Sequence, residues 1–264
     1  MGPPEVMTRD IKAILRNTNL FQGLDENSLS ALSESAFISS HGKGKILFIS
    51  DESARNLYVV LSGWVKLFRE TLDGAQAIVD ILNDGHVFAE TTLFENHTYP
   101  YSAEIIEPTE LLSIPLSVVE SDLLKNPALT LCFLKHISRT RHAQSMEIEH
   151  QTLQNASQRI GCFLLRLVGH QQTGAITLHL PYDKTLLAAR LAMQPETFSR
   201  ALNKLRTETA LEIQGATVTI QDIQALIDYT CIACTSTYPC KDKVSSSRTE
   251  PEAKGVCNHK QRRE

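Results

Sequence analysis

Residues 183–206 read DKTLLAARLAMQPETFSRALNKLR, and this stretch predicts two helices joined by a tight turn. Leucines recur at helical spacing in its first part, which is typical of the buried face of a helix. Pro195 disfavours helical backbone at Gln194 and fits the first turn of a new helix, so the turn falls at residues 192–194. The second helix has its own apolar stripe, formed by Phe198, Leu202 and Leu205.

The opposite face of the second helix is polar and has the composition of a helix that reads DNA bases. Its members, together with the lysine at the start of the first helix, are Lys184, Glu196, Thr197, Ser199, Arg200, Asn203 and Lys204. A guanidinium can bind guanine at two points, a carboxylate can accept from cytosine, and a hydroxyl can contact base or phosphate. An ordinary amphipathic helix pair on the surface would show the same periodicity. The distribution of charge is therefore needed to distinguish it from a DNA-binding helix pair.

The charge of the 183–206 stretch favours DNA. Basic residues outnumber acidic ones within it, although the whole chain carries a net charge of −4. The basic members are Lys184, Arg190, Arg200, Lys204 and Arg206. Residues 1–126 hold twice as many Asp and Glu as Lys and Arg, which makes that half a poor candidate for phosphate contact. A local cationic patch in an acidic protein is explained by binding to double-stranded DNA.

The composition is that of a soluble globular protein, with 42% hydrophobic and 21% charged residues. No signal peptide is recognisable, and no apolar run approaches the roughly 18 residues that span a bilayer. We therefore expect a cytoplasmic protein without a membrane partner. Thiols stay reduced in that compartment, so the six cysteines are interpreted as buried residues, metal ligands or redox groups.

Residues 1–126 predict helices over 8–36, broken near 19–24, followed by a β domain. From Gly42 the hydrophobic period changes to two, and Asp73-Gly74 is a strong hairpin signal. The expected strands cover residues 45–49, 56–61, 64–70, 77–82, 87–88, 102–104 and 110–115. Many short strands at this spacing indicate an antiparallel β-roll or jelly roll.

Residues 127–155 predict one long helix, with Asn126 as its N-cap and Pro127 in its first turn. No Gly or Pro follows until Gly161, which allows about 27 residues and roughly 40 Å of helix. Pairing with the same helix of a second copy explains such a helix beside a small β domain, and gives a homodimer. The alternative is packing against its own β domain.

Residues 156–228 predict a winged helix-turn-helix, with a two-stranded wing around Gly215. The flanking elements are expected to be a helix over 156–168, a strand over 176–180 and a last helix over 221–228. Residues 229–264 form a cysteine-containing tail, polar enough from Asp242 onward to predict partial disorder. The expected fold class is therefore α+β: β-roll, dimerisation helix and winged helix-turn-helix.

This order of elements resembles the superfamily of the cyclic-AMP receptor protein and the fumarate–nitrate reduction regulator, the Crp/Fnr regulators, over about residues 14–228. In the β-roll the resemblance is carried by residues 19–24, 58–63, 65–67, 73–74, 85 and 88–90. Residues 196–200 match the E-T-x-S-R pattern of the fumarate–nitrate branch, and QPETFSR is similar to the dissimilatory nitrate-respiration regulators. The resemblance implies a homodimeric transcription regulator that binds a TTGAT-like palindrome, with RNA polymerase as a partner and oxygen or nitric oxide as the signal.

One departure from this resemblance concerns cyclic AMP. Cyclic-nucleotide binders of the superfamily have an arginine before Ser/Thr-Ala that clamps the cyclic phosphate, whereas this chain has Tyr101-Ser102-Ala103. Without a guanidinium there is no two-point partner for the phosphate. We therefore expect no cyclic AMP, and we interpret Glu90, which matches a ribose contact in such binders, as structural.

The cysteines of the tail suggest a metal cofactor. Cys231, Cys234 and Cys240 have the C-x2-C-x5-C spacing of oxygen-sensing fumarate–nitrate regulators, which implies three ligands of a [4Fe–4S] cluster. The fourth ligand is open, with Cys257, Cys132 or a carboxylate as candidates. A zinc site and uncoordinated or redox-active thiols are the alternatives. Cys162, like Cys132 on the long helix, is interpreted as a packing residue.

Haem is the alternative cofactor, in a sensor whose tail takes no part in sensing. Candidate axial ligands are His41, His86, His97 and His136, with none singled out. Catalysis has no support, because the chain carries no nucleophile elbow, HExxH motif or Walker loop, so we expect no enzyme. An effector-binding β-roll that acts without DNA is the alternative class of function, and the joint presence of Glu196, Ser199 and Arg200 disfavours it.

Overall fold

The computed structural model describes residues 10–168, 175–181, 183–235, 238 and 240. Its N-terminal part contains helices α1 (Ile11–Asn17) and α2 (Glu26–Ser35), separated by a 3₁₀ turn. Aspartates cap both helices, since Asp10 accepts a hydrogen bond from the amide of Ala13 and Asp25 accepts one from Ser28. The helical region expected over 8–36 is thus two short helices.

Six strands form one antiparallel sheet that rolls around an apolar interior, which confirms the predicted fold class of this half. The strands are β1 (Phe37–His41), β2 (Ile46–Phe48), β3 (Asn56–Glu70), β4 (Gln76–Leu82), β5 (Val87–Phe88) and β6 (Ser102–Pro115). The main order is β1-β6-β3-β4, with β2 paired to β6 and β5 paired to β3. The predicted hairpin at Asp73-Gly74 joins β3 to β4.

Two strands are longer than the sequence pattern indicates, because each continues through a position that we interpreted as a break. Gly63 lies inside β3 with a φ of 89°, and a Cβ at this position would stand 2.4 Å from the carbonyl oxygen of Pro108 in β6. The glycine therefore permits a close approach between the two long strands rather than ending one of them. In the same way, the two strands predicted over residues 102–104 and 110–115 are one continuous strand, β6, which begins at Ser102 and ends at Pro115.

Helix α3 (Leu116–Leu123) leads into α4 (Pro127–Leu153), which matches the predicted long helix. Asn126 caps α4 by accepting hydrogen bonds from two amides of the first turn. One face of α4 packs against its own protomer through Leu129, Phe133, His136, Met146 and His150. A different side leaves four apolar side chains at least half exposed, namely Leu131, Leu134, Ile148 and Leu153. Packing on its own β-roll therefore leaves a second apolar surface uncovered.

The C-terminal half is a winged helix-turn-helix. Its elements are α5 (Ala156–Val168), β7 (Ile176–His179), α6 (Lys184–Arg190), α7 (Pro195–Thr209), β8 (Leu211–Gln214), β9 (Thr217–Ile220) and α8 (Ile223–Cys231). The three strands form an antiparallel sheet in the order β7-β9-β8. Helix α8 ends at Cys231, three residues beyond the predicted end at Asp228. Cys231 therefore belongs to the helix instead of following it.

Two close contacts fix how the elements of the C-terminal half lie. A Cβ at Gly161 of α5 would stand 2.2 Å from the hydroxyl of Thr230, so α5 and α8 cross where only glycine fits. Helix α6 packs on β4 of the sheet, and one apolar core joins Trp64 and Ile81 of the β-roll to Leu187 of α6. Within the described residues, none of the helices has the length and hydropathy of a membrane span.

Candidate nucleic-acid interface and sensor region

The turn between α6 and α7 places the polar face of α7 on the surface. Asp183 caps α6 by accepting hydrogen bonds from the amides of Thr185 and Leu186. Ala192 adopts a left-handed conformation with a φ of 51°, and the next amide, of Met193, donates to the carbonyl oxygen of Ala188. The turn predicted at residues 192–194 is therefore present, and α7 begins at Pro195 as expected.

Helix α7 is amphipathic in the predicted sense. Phe198, Leu202 and Leu205 are buried in the core of the winged domain. The polar candidates are all exposed, namely Lys184 of α6 and Glu196, Thr197, Ser199, Arg200, Asn203 and Lys204 of α7. Residues 196, 199, 200 and 203 follow helical i, i+3, i+4, i+7 spacing, so their side chains share one surface. This surface has the donors and acceptors that base recognition requires, and its contact with DNA stays a prediction.

Arg190 does not belong to the exposed cationic patch that the sequence suggests. Its Nε lies 2.7 Å from Oδ1 of Asp80 in β4, and its Nη2 lies 2.9 Å from Oε2 of Glu147 in α4. Only 13% of its side chain is exposed. Arg166 adds a second guanidinium, 3.1 Å from Glu147. Arg190 thus fastens the helix-turn-helix to the sheet and to the long helix.

The electrostatics of this ion-pair group are dominated by Glu147. Burial alone would favour its neutral form, but the hydrogen bonds and charges of Arg190 and Arg166 hold the pKa of Glu147 at about 2. The carboxylate therefore stays ionised at any physiological pH. Its two arginine partners lie 19 and 43 positions away along the chain, so no local sequence pattern predicts this ion-pair group.

Aromatic rings fill the interior of the β-roll. Phe48 stacks on Tyr99 at a centroid distance of 3.7 Å, and Tyr58 stacks on Phe88 at 5.1 Å. Tyr101, which replaces the phosphate-clamping arginine of cyclic-nucleotide binders, is turned towards this cluster. Its hydroxyl accepts a hydrogen bond from the amide of Ala89 at 3.1 Å, and burial followed by the charge of Glu90 raises the pKa of Tyr101.

Glu90, expected to be structural, is buried and contacts the long helix. Its Oε1 lies 3.3 Å from Nε2 of His136, and both side chains are less than 10% exposed. A buried carboxylate needs a partner of this kind, because burying an unpaired charge is costly. Glu90 and Tyr101 are therefore both engaged by protein groups.

Each of the four histidines considered as haem ligands has a protein group beside its ring. His41 lies 2.9 Å from the hydroxyl of Ser39, His86 lies 3.0 Å from the carbonyl oxygen of Asn83, and His136 contacts Glu90. His97 stands 4.0 Å from Glu120. A haem needs a pocket of several hundred Å³ beside its axial ligand. None of the four lines the 210 Å³ cavity between β-roll and winged domain, so these residues do not fit a haem there.

The cysteines of the tail lie next to the joint between α4 and α5. Nε2 of His150, in the last turn of α4, lies 3.3 Å from Sγ of Cys234. Cys231 ends α8, and burial, followed by the charges of Cys240 and Cys234, raises the pKa of its thiol to about 11. Among the described residues, no three His, Cys, Asp or Glu side chains are arranged to hold a metal ion. Cys257 and the predicted disorder from Asp242 onward lie outside the described residues.

An antiparallel β-roll, a long helix and a winged helix-turn-helix with an exposed polar recognition face define a class: transcription regulators that couple a sensor domain to DNA binding. The family model for the cyclic nucleotide-binding domain matches residues 39–126, and that for the Crp-like helix-turn-helix domain matches residues 158–229. The chain belongs to the Crp/Fnr family of transcriptional regulators, and it is not an enzyme. Regulators with this helix-turn-helix bind DNA, typically as dimers.

Several known proteins are similar over most of the chain. A solved structure of a Ruegeria pomeroyi protein named for cyclic nucleotide binding is 37% identical, covers 83% of this chain and 96% of that one, and has a TM-score of 0.67. The CRP-like cAMP-activated global transcriptional regulator of Mycobacterium tuberculosis is 23% identical over 216 residues, 81% of this chain and 96% of the relative. The Anaerobic regulatory protein of Bacillus subtilis is 28% identical over 175 residues, 65% of this chain and 74% of the relative. These names differ in their signals, so the fumarate–nitrate branch stays a prediction.

Proposed function

We propose that this protein is a homodimeric, sequence-specific regulator that inserts α7 of each protomer into the major groove of a TTGAT-like palindrome. The observation that supports it best is the division of α7 into a buried apolar face and an exposed face that carries Glu196, Ser199 and Arg200 together. The turn before α7 leaves the first turns of the helix free to meet base edges. RNA polymerase is its expected partner at promoters.

The exposed residues divide into two roles. Arg200 is the expected guanine reader and Glu196 the expected cytosine reader, because their side chains match the hydrogen-bond patterns of those bases. Ser199, Thr197 and Asn203 contact base edges or nearby phosphate. Lys184 and Lys204 lie at the borders of this surface and hold the protein on the phosphate backbone, which carries no sequence information.

The second apolar surface of α4 supports the dimer. Its four exposed side chains, Leu131, Leu134, Ile148 and Leu153, are at least half exposed in one protomer, and pairing with a second α4 would remove them from water. A two-fold dimer places two recognition helices one helical turn of DNA apart, about 34 Å, which requires a near-palindromic operator.

The test of this function is a gel-shift titration with a TTGAT-like palindrome, the same half-site alone and a scrambled duplex of equal composition. We expect the palindrome to bind at least ten-fold more tightly than the scrambled duplex. Light scattering at micromolar concentration should give the mass of a dimer, and Leu134→Glu should reduce it to a monomer that loses palindrome preference. Equal affinity for all three duplexes, or a monomeric wild type, would refute the proposal.

For the signal we propose oxygen, nitric oxide or redox state, sensed through a [4Fe–4S] cluster on Cys231, Cys234 and Cys240, and no response to cyclic AMP. The donors are chemically suited, because soft thiolates are the usual ligands of such clusters. When bound, the cluster would supply a centre that oxygen or nitric oxide disrupts. Tyr101 and Glu90, each engaged by protein groups, support the absence of a cyclic AMP site.

Anaerobic purification followed by iron, sulfide, zinc and haem analysis tests the signal. We expect iron and sulfide in similar amounts, and a variant with all three cysteines changed to serine should lose both, together with the response to oxygen or nitric oxide, while it keeps its fold. A colourless, iron-free wild type would refute the cluster without affecting the DNA-binding proposal.

Added cyclic AMP should leave the affinity for the palindrome unchanged. A response to cyclic AMP would refute the proposal that a chain with Tyr101 in place of the arginine does not bind it.

A further inference from the structure

A small cavity lies at the joint where the dimerisation helix passes into the DNA-binding domain, and three arginines line it. Its volume is about 30 Å³, and its walls come from α4, α5 and α6. We infer that this cavity binds a small monovalent oxyanion that carries a hydroxyl group, of which hydrogencarbonate is the simplest example. The site uses neither the proposed cluster ligands nor the recognition face of α7.

The charge around the cavity favours an anion. Arg159, Arg166 and Arg190 line it, whereas Glu147 is the one carboxylate among the described residues of its walls. Glu147 accepts from Arg190 at 2.9 Å and from Arg166 at 3.1 Å, and Asp80 accepts from Arg190 at 2.7 Å from outside the cavity. Three guanidiniums therefore face two carboxylates. One positive charge is left, which a monovalent anion would neutralise.

Arg159 supplies the donor for this anion. Its Nε is buried and has no hydrogen-bond partner in the part of the chain that the structure describes. A buried N–H group normally has an acceptor, because an unpaired donor has lost its water without a replacement. Oxyanions are strong acceptors for a guanidinium, since two of their oxygens match two of its N–H groups.

Gln154 supplies the reason for the hydroxyl group. This residue is 6% exposed, and its Oε1 is buried without a hydrogen-bond partner within the described residues. Gln154 lines the same cavity as Arg159. An amide oxygen only accepts hydrogen bonds, so the negative oxygens of formate or nitrate cannot pair with it. A ligand that satisfies both residues must accept from Arg159 and donate to Gln154, as hydrogencarbonate does.

A water molecule can also accept from Arg159 and donate to Gln154, but it carries no charge to offset the third guanidinium. The cavity has room for about two to three water-sized atoms, and a small oxyanion fits such a space because its bonded atoms overlap. Phe163 and Leu191 form apolar parts of the wall. Apolar walls lower the local dielectric constant and strengthen the attraction between the anion and the guanidiniums.

The position of the cavity joins three helices. A bound anion would lie between Gln154 at the end of α4, Arg159 and Arg166 of α5, and Arg190 of α6. These helices are the dimerisation helix, the first helix of the winged domain and the first helix of the helix-turn-helix. Because the cavity exists only when the three helices are packed, the anion should stabilise the folded protein against heat.

Thermal unfolding of the full-length wild type tests the ligand. The protein is heated at pH 8, where hydrogencarbonate is the main form of dissolved carbonate, in the potassium salts of hydrogencarbonate, formate, nitrate and chloride at equal ionic strength. We expect hydrogencarbonate to raise Tm by about 3 °C relative to chloride, the shift of a site filled at about ten times its Kd. Formate and nitrate lack the hydroxyl group and should raise Tm by less than about half as much.

Two variants and a matched control test the location. Arg159→Met removes the unpaired Nε and should abolish the hydrogencarbonate shift, whereas Gln154→Met removes the acceptor and should reduce the shift to that of formate. Arg69→Met is the control, because Nε of Arg69 already donates to the carbonyl oxygen of Pro100 at 2.8 Å in the β-roll. It should keep the wild-type shift within about 1 °C.

Three results would overturn the inference. Equal shifts in formate and hydrogencarbonate would show that no hydroxyl group is recognised. A hydrogencarbonate shift as large in Arg159→Met as in Arg69→Met would show a general effect of the salt. No shift of the wild type in any salt would leave water as the occupant of the cavity. None of these results bears on the proposed DNA binding or on the proposed cluster, which are measured separately.

Discussion

Arg190 and Arg200 lie ten positions apart on consecutive helices of one helix-turn-helix, yet their surroundings are opposite. Arg190 on α6 is buried between Asp80 and Glu147, and it holds the motif against the sheet and the long helix. Arg200 on α7 is exposed, with no partner among the described contacts that would fix its guanidinium. The same side chain therefore serves as an internal fastener in one helix and as a surface group suited to DNA in the next.

The difference shows that charge counted along a sequence does not measure the charge offered to a ligand. Of the basic residues in the 183–206 stretch, Arg190 is neutralised inside the protein, whereas Lys184, Arg200, Lys204 and Arg206 remain on the surface. Burial and partners decide which group can meet a phosphate. Variants of the two arginines, and of the residues around them, test whether this difference in surroundings determines their roles.

The largest effect is expected for Arg190→Met. Removing one member of a buried ion-pair group leaves Asp80 and Glu147 without their main partner, which should lower the free energy of unfolding by about 3 kcal/mol. Arg200→Met is the matched control, and it should change stability by no more than about 0.5 kcal/mol because Arg200 is exposed. Thermal and urea unfolding of both variants measure the contrast. Equal stability of the two would show that Arg190 does not fasten the motif.

The second-largest effect concerns the stability of the protein at acid pH. The pKa of Glu147 is about 2 in the folded protein against 4.5 ordinarily, so its stabilising contribution is full above about pH 5 and is lost as the pH falls towards 2. Between pH 5 and pH 3 the wild type should lose about 2 kcal/mol that a Glu147→Gln variant does not lose. Urea midpoints of both proteins at pH 6, 5, 4 and 3 give the difference. If the urea midpoints of the two proteins fall in parallel as the pH falls, Glu147 does not have the lowered pKa.

On the exposed side, Arg200→Ala should weaken binding to the preferred palindrome by about 1–3 kcal/mol and relax specificity at one base pair of each half-site. The loss arises because a two-point contact to guanine disappears while the rest of the surface is unchanged. Gel shifts against all four bases at each position of the half-site measure it. A specificity profile identical to that of the wild type would rule out Arg200 as a base reader.

The smallest effect is expected for Lys204→Ala. A phosphate contact carries no sequence information, so affinity should fall by a similar factor for every duplex. The slope of log affinity against log salt should decrease by about one, because one fewer counterion is released. Titrations at four salt concentrations give this slope. A change of base preference in Lys204→Ala would contradict its role as a phosphate contact. The same specificity profile in Lys204→Ala and Arg200→Ala would contradict the division between a phosphate contact and a base reader.

Much of this architecture is predictable from the sequence because its signals are local. The helix pair, the position of its turn, the long helix after Asn126 and the wing around Gly215 depend on neighbours within a few residues, and the structure contains all of them. The β-roll was predicted in kind but not in strand length. Gly63 has the turn signal of a break, while its actual role depends on Pro108, 45 positions away.

The parts that sequence reasoning missed are those whose partners are distant. Arg190 meets Asp80 across 110 positions, and His150, whose Nδ1 lies 3.6 Å from Sγ of Cys162, meets Sγ of Cys234 across 84 positions. In the sequence, Cys162 stands in an apolar run and looks like a core residue. The structure has Cys162 buried, as expected, and only the packed helices reveal its contact with His150.

His136 and Glu147 lie eleven residues apart on α4, which is slightly more than three full turns at about 3.6 residues per turn. The two side chains therefore point to nearly the same side of the helix, about 16 Å apart along its axis. One meets Glu90 of the sensor and the other meets Arg190 of the DNA-binding motif. A rotation of α4 about its own axis must disturb both contacts together, whereas a bend between them can release one and spare the other. Rotation and bending thus leave different signatures, and comparing the environments of His136 and Arg190 in two signalling states would tell which motion the protein uses.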